Sequence, residues 1–254
     1  FILGFFGFPF FVLVERSLST PTGYSFVYYK QILLENSDAR FSIFGTRRAI
    51  YNSLLWGTLA MVIATVVGLI AAYLLTNKSK ALAQLSGVFL LLPLGASGVL
   101  LGFGILISLN SGFLDFRSQW WIVPLAQGLL GIGIVARITS NAIKKIDPSI
   151  RHAASTLGAS SLIIWRKVDY PIIAKSIIAG SAFSFALALG EFGATSFLVR
   201  PQRPTIPTTI FNLLGRPGST TFGQAMALSV ILAVITWLVV SLLDRSGSLS
   251  TNDF

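Results

Sequence analysis

The 254-residue chain has no cysteine, one histidine and few charges. Without Cys there is no disulfide scaffold, thiolate metal site or Cys nucleophile. His152, standing alone, excludes a His-rich metal cluster. Charged residues make up 11% of the chain, whereas a soluble domain carries about 25%. That is too little charge to coat a water-exposed globule. Apolar residues reach 54% and mean hydropathy is +0.77, which excludes a disordered chain as well. What remains is an all-α integral membrane protein.

The net charge is +10. In a soluble domain this would point to nucleic acid, but here Lys and Arg fall between apolar runs, where they anchor and orient spans in a bilayer. No nucleic-acid partner is expected. The opening run, 1–14, is short for a span and has no basic flank, so it reads as a clipped first helix rather than a signal peptide. Fourteen residues cover about 21 Å of a roughly 30 Å core, so the native chain is expected to extend before Phe1.

A spanning helix needs about 20 mostly apolar residues. Stretches nearly free of Asp, Glu, Lys and Arg predict about six, with cores at 1–14, 52–75, 85–108, 121–138, 172–198 and 222–243. The whole of 1–254 reads as one transmembrane domain. The runs lack the period-two alternation of barrel strands. Trp120 and Trp121 are candidate interface anchors, and Pro93 and Pro124 candidate kinks. Gly98 and Gly102 form a G-x-x-x-G in the third span, and the fifth is rich in small residues, both suited to close helix contacts. With six crossings, ten of the 19 Lys and Arg fall on one side and nine on the other. The totals do not orient the chain, but seven of the ten cluster around the loop 139–171, which places that loop in the cytoplasm.

That loop carries the most information. Asp147-Pro148 reads as an N-cap followed by the first helical residue, and Gly158 as the stop. A short polar helix over 148–157, a Gly turn and a second amphipathic piece over 161–168 lead to Pro171 and the fifth span. The segment is too polar to insert and too patterned for a linker, so it belongs on the membrane surface, offered to another protein.

In these residues the chain resembles the inner-membrane permease subunits of type I, binding-protein-dependent ABC importers. Their cytoplasmic motif runs Glu-Ala-Ala, three residues, Gly, nine residues, Ile-x-Leu-Pro. Here His152-Ala153-Ala154 is followed after three residues by Gly158 and after nine more by Val168-Asp169-Tyr170-Pro171. Every spacing agrees, with His152 in place of Glu and Tyr170 in place of Leu. Asn52-Ser53-Leu54, Ala72-Tyr73-Leu74-Leu75 and Leu189-Gly190-Glu191-Phe192-Gly193 are also typical of these permeases, so the similarity covers about residues 50–245.

The resemblance implies a type I permease fold with a cytoplasmic coupling helix, in a bacterial inner membrane. It implies three partners: a cytoplasmic ABC ATPase dimer, an extracytoplasmic substrate-binding protein and a second permease domain, separate or fused. Contact with the ATPase would fall to His152, Ala153, Ala154, Leu157, Gly158, Ala159 and Pro171. Hydrolysis belongs to the partner: the chain has no G-x-x-x-x-G-K-[ST] loop, and its one formal G-x-G-x-x-A, Gly131 to Ala136, lies in an apolar span with no strand before it. No enzyme activity, metal or cofactor is expected.

Glu191 is the one acid deep in a span, which makes it a functional candidate, with Gly190 and Gly193, for the translocation pathway or for a bond to a neighbouring helix; the alternative is an acid that snorkels to the interface. An ATP-independent secondary transporter or channel is the competing reading, but internal repeats are not evident. A non-transporting scaffold would leave the Gly-rich spans unexplained. For substrate, the Gly-Glu-Phe-Gly span and the Arg200-Pro201 loop resemble thiamine and iron(III) permeases most. Polyamine comes next, and sulfate and molybdate last.

Overall fold

The computed structural model describes residues 2–33, 45–76, 97–109 and 119–248. They form helices α1 (Ile2–Leu18), α2 (Val27–Leu33), α3 (Thr46–Leu75), α4 (Gly98–Ser108), α5 (Ile122–Lys144), α6 (Pro148–Thr156), α7 (Ser161–Ile164), α8 (Tyr170–Gly190), α9 (Gly193–Leu198), α10 (Ile206–Leu214) and α11 (Ser219–Ser248). A π-helical turn, Trp165–Asp169, joins α7 to α8. The all-α expectation needs one small amendment, an antiparallel ladder pairing Ser19 with Tyr24 and Thr20 with Gly23.

Among the described residues, four helical stretches are long and apolar enough to cross a membrane: Thr46–Leu75, Ile122–Lys144, Ser161–Gly190 and Ser219–Leu242. The expected six are therefore four long spans and shorter apolar helices among the described residues. α1 has 17 residues. Of the third span only α4 is described, and its expected beginning at 85–96, with Pro93, lies outside the described residues.

α3, α5 and α8 pack on one another, and α5 is the enclosed member. Its apolar window is 72% buried, against 28% for α3 and 17% for α11, so α5 sits inside the bundle while the other two turn large faces outward. On α3 those faces carry Val62, Val66 and Ile70, suited to lipid. Pro124 does not kink α5. It lies in the first turn, where a missing N–H removes no intrahelical bond. A second cluster, built on Tyr28, Ile32, Ile206, Leu213 and Leu228, holds α2 and α10 against α11.

Two boundaries depart from the expectation. The second amphipathic piece does not stop before the fifth span, because Ser161–Gly190 runs as one helix through Pro171. Proline inside a helix removes one hydrogen bond and crowds the carbonyl four residues back. The π turn immediately before it widens the helix where that clash would fall. The expected continuous span 172–198 is instead broken, with α8 ending at Gly190 and α9 starting at Gly193.

Candidate coupling and translocation sites

α6 is built from local signals. Asp147 takes an extended conformation and its carboxylate accepts from the Ser149 N–H at 2.9 Å. With the Ser149 backbone and hydroxyl bonded to it, the Asp147 carboxyl is held below the ordinary carboxylate range. Pro148 opens the helix, where its lack of an N–H costs nothing. At the other end Gly158 has φ +82°. Its N–H donates to Ser155 O at 3.0 Å, and Ala159 N–H donates to Ala154 O at 3.1 Å, the paired bonds of a Schellman stop. Both ends of a nine-residue helix are thus closed by its own sequence.

None of the α6 residues is buried. His152, Ala153 and Gly158 are exposed, Ala154 and Ala159 half-buried, and Leu157 is 89% exposed. Ile150, Leu162 and Ile163 add further exposed apolar surface beside it. An ion pair fastens α6 to the bundle. Arg151 Nε donates to Asp169 Oδ1 at 2.8 Å, and Asp169 is buried in the π turn. Residues 152–159 therefore form one accessible ridge, exposed except at the half-buried Ala154 and Ala159. Pro171 is exposed as well, but it stands on the continuous helix beyond the π turn, away from that ridge in the chain.

The helix break at Glu191 is the second feature. In a bilayer the first N–H groups of α9 would lack partners. Glu191 supplies them. Oε1 accepts from Ala194 N–H at 2.7 Å and Oε2 from Thr195 N–H at 3.0 Å, while Thr195 Oγ1 donates to Glu191 O at 2.8 Å. The carboxylate sits against α4, where a Cβ on Gly98 would come within 2.6 Å of Oε1. One turn on, a Cβ on Gly102 would stand 2.5 Å from Ala194 Cα. The G-x-x-x-G face of α4 is the seat for the broken helix. Gly193 also meets α4 closely, whereas Gly190 is exposed, with nothing within 4 Å of a would-be Cβ. Beside the break, Phe192 and Phe211 pack with ring centroids 5.1 Å apart. They border a cavity of about 360 Å³ that also receives Ser196, Arg200 and Asn212.

Two further cavities lie at opposite ends of α3. One, of about 500 Å³, is lined by Tyr73, Thr76, Lys144, Arg151 and Asp169 beneath α6. The other, of about 520 Å³, is lined by Arg48, Tyr51, Asn52, Trp56, Trp120, Gln202 and Arg203. From Arg48 to Tyr73 the helix rises about 38 Å, so the pockets lie at opposite ends of a helix long enough to cross a membrane. Among the described residues no three of His, Asp or Glu converge to hold a metal ion.

α10 and the Arg151–Asp169 pair escaped sequence reasoning. For α10 a signal exists: Thr205 precedes Ile206-Pro207-Thr208 and forms a reciprocal capping box with Thr208. For the ion pair, 18 residues apart, no local signal exists.

The chain is similar to known transport proteins. Residues 64–250 match the family described as the binding-protein-dependent transport system inner membrane component. A putative 2-aminoethylphosphonate transport system permease protein, PhnV, of Salmonella paratyphi A is 32% identical over 78% of this chain and 73% of its own. The molybdenum transport system permease protein ModB of Escherichia coli K12 is 28% identical over 78% of this chain and 93% of its own. The sulfate transport system permease protein CysT of Salmonella typhimurium is 30% identical over 75% and 73%. In structure, a bacterial ABC transporter that imports the acidic polysaccharide alginate superposes with TM-score 0.70 at 18% identity, over 98% of this chain and 92% of that one. The fold is that of an ABC importer permease, multi-pass in the bacterial inner membrane, and its work is transport rather than catalysis. The chain belongs to the binding-protein-dependent transport system inner membrane components.

Proposed function

We propose that the chain forms half of the translocation pathway for a small oxyanion and takes its drive from an ATPase seated on α6. The observation that carries the coupling part is the build of α6: without a buried residue, closed at both ends and fastened to the membrane helix 161–190 by one buried carboxylate. In an ABC importer the permease pairs with a second permease domain and works between a cytoplasmic ATPase and a binding protein. His152, Ala153, Ala154, Leu157, Gly158 and Ala159 form the contact ridge for the ATPase. Pro171 belongs to the lever behind it rather than to the contact. A ligand that contacts α6 differently in two states shifts the whole helix 161–190 with it.

Gly190 is the pathway-side member of the broken helix, because it faces open space. Glu191 and Gly193 act by holding α9 on α4. For substrate, the relatives named above carry 2-aminoethylphosphonate, molybdenum and sulfate. In water molybdate and sulfate are tetrahedral oxyanions and 2-aminoethylphosphonate carries a tetrahedral phosphonate group, which moves that class ahead of thiamine, iron(III) and polyamine. The test is reconstitution in liposomes with the cognate ATPase and binding protein, following ATP hydrolysis and uptake of each candidate. Hydrolysis stimulated by molybdate, sulfate or 2-aminoethylphosphonate, and by neither thiamine nor iron(III), is the expected result. Stimulation by thiamine or iron(III) alone would reverse the substrate assignment.

A further inference from the structure

The cavity at the end of α3 remote from α6 brings two arginines together. Arg48 stands in the first turn of α3, one turn before Asn52. Asn52 Nδ2 donates to Pro204 O at 2.9 Å, and Ser53 Oγ accepts from Ile206 N–H at 2.8 Å. Both side chains are buried, as is Thr205 with its capping box to Thr208. These bonds pin the segment 203–206 to α3, so Arg203 and Arg48 line one cavity of about 520 Å³.

Among the acids whose side chains are described, Glu15 pairs with Arg16, Asp147 caps α6, Asp169 holds Arg151 and Glu191 caps α9. None of the four lines the cavity. Arg48, Gln202 and Arg203 are exposed and the cavity opens to solvent, so its two guanidiniums make a positively charged, aromatic-bordered recess that attracts an anion. A guanidinium fork matches a tetrahedral oxyanion by paired N–H donors, and the neighbouring Gln202 amide can donate as well.

We propose that this cavity binds a tetrahedral oxyanion group, that of sulfate, molybdate or a phosphonate, receiving it at the mouth opposite the coupling helix. The proposal rests on the oxyanion reading above, and the test separates the two. The permease–ATPase complex in nanodiscs is titrated with sodium molybdate, sodium sulfate and 2-aminoethylphosphonate, against sodium chloride at equal ionic strength. Tryptophan emission reports the cavity through Trp56 and Trp120, and calorimetry on the same samples gives an independent affinity. A saturable response in wild type is expected, weakened about tenfold or more in Arg48→Gln and in Arg203→Gln. Lys30→Gln removes an exposed charge outside the cavity and should bind as wild type does. Thermal unfolding shows whether each variant is folded. Arg48→Gln, Arg203→Lys and Arg203→Gln form a series, so a folded member is at hand if one fails.

Absence of a saturable oxyanion response in wild type overturns the proposal. So does an unchanged oxyanion affinity in both Gln variants, including the case where they lose affinity only for the binding protein, which would make the pocket a protein-docking surface. If the oxyanions bind in the predicted manner but uptake assays find a cationic or neutral cargo, the site stands and the substrate reading falls.

Discussion

Arg151 Nε stands 2.8 Å from Asp169 Oδ1, and this contact ties an exposed surface helix to a helix that enters the membrane. Asp169 is 6% exposed and lies in a π turn, so its position follows that of the span behind it. Removing Arg151 leaves a buried carboxylate without its partner. Breaking a fully buried pair costs about 3–5 kcal/mol, and partial exposure of Arg151 reduces that to about 1–3 kcal/mol. Arg151→Gln should therefore lower thermal stability and, more sharply, the substrate-stimulated rate of ATP hydrolysis. Adding Asp169→Asn to Arg151→Gln should restore part of the stability, which a double-mutant cycle on the reconstituted complex would measure.

Gly158, with φ +82°, sets the exit direction of the chain from α6. A residue with a Cβ is strained there by about 1 kcal/mol or more, a cost comparable to typical coupling energies of about 1–3 kcal/mol. Gly158→Asp should remain in the membrane yet bind the ATPase poorly and lose stimulated hydrolysis. His152→Ala should be milder and His152→Glu tolerated. Full stimulation in Gly158→Asp, with normal assembly, would show that α6 is not the lever.

The carboxylate of Glu191 holds two backbone N–H groups. A Gln at that position offers one acceptor oxygen and leaves one of them unmade, at about 1–3 kcal/mol. Glu191→Gln should assemble, melt at a lower temperature and transport more slowly. Wild-type melting and wild-type uptake together would mean that the break is held by packing on α4 alone.

Gly102 and Gly104 make a matched pair. A Cβ on Gly102 meets Ala194 Cα at 2.5 Å, whereas one on Gly104 meets nothing within 4 Å. Gly102→Ala should destabilise by about 1–3 kcal/mol through overpacking. Gly104→Ala should be neutral or stabilise by up to about 1 kcal/mol. Melting curves of the two variants in one detergent provide the comparison.

The Asp147 cap predicts an acid dependence. Hydrogen bonds from Ser149 hold its carboxyl below the ordinary range. A depressed folded-state pKa contributes stability above the unfolded pKa, and that contribution is lost as pH falls through the depressed value. α6 should therefore be fully capped at neutral pH and fray only in acid. Exchange of the Ser149 amide, corrected for the intrinsic pH effect, should rise at low pH in wild type, be raised at neutral pH in Asp147→Ala, and lose its acid dependence in Asp147→Asn.

Local and compositional features were legible before any coordinates. Long uncharged runs require helices, because lipid offers backbone groups no partners. Asp147-Pro148 and Gly158 delimit a nine-residue helix through bonds that reach only a few positions along the chain. The spacing from Ala153 to Pro171 carried the family.

What the tertiary structure alone decided depends on residues far apart in sequence. The span expected to run unbroken from 172 to 198 stops at Gly190, because the Glu191 carboxylate and the glycine seat on α4 make a break cheaper than a continuous helix. Pro171, which reads as a boundary, is absorbed within Ser161–Gly190 by a π turn that hydropathy cannot reveal. Asp169 reads as one more loop acid until Arg151 is seen beside it. Arg48 and Arg203 share a cavity only because Asn52 and Ser53 fasten the later loop to the start of α3. Hydropathy and capping act through the chain's own neighbours and are written in order along it. Charge pairing and close helix approach are set by distance in space, which the order of residues does not contain.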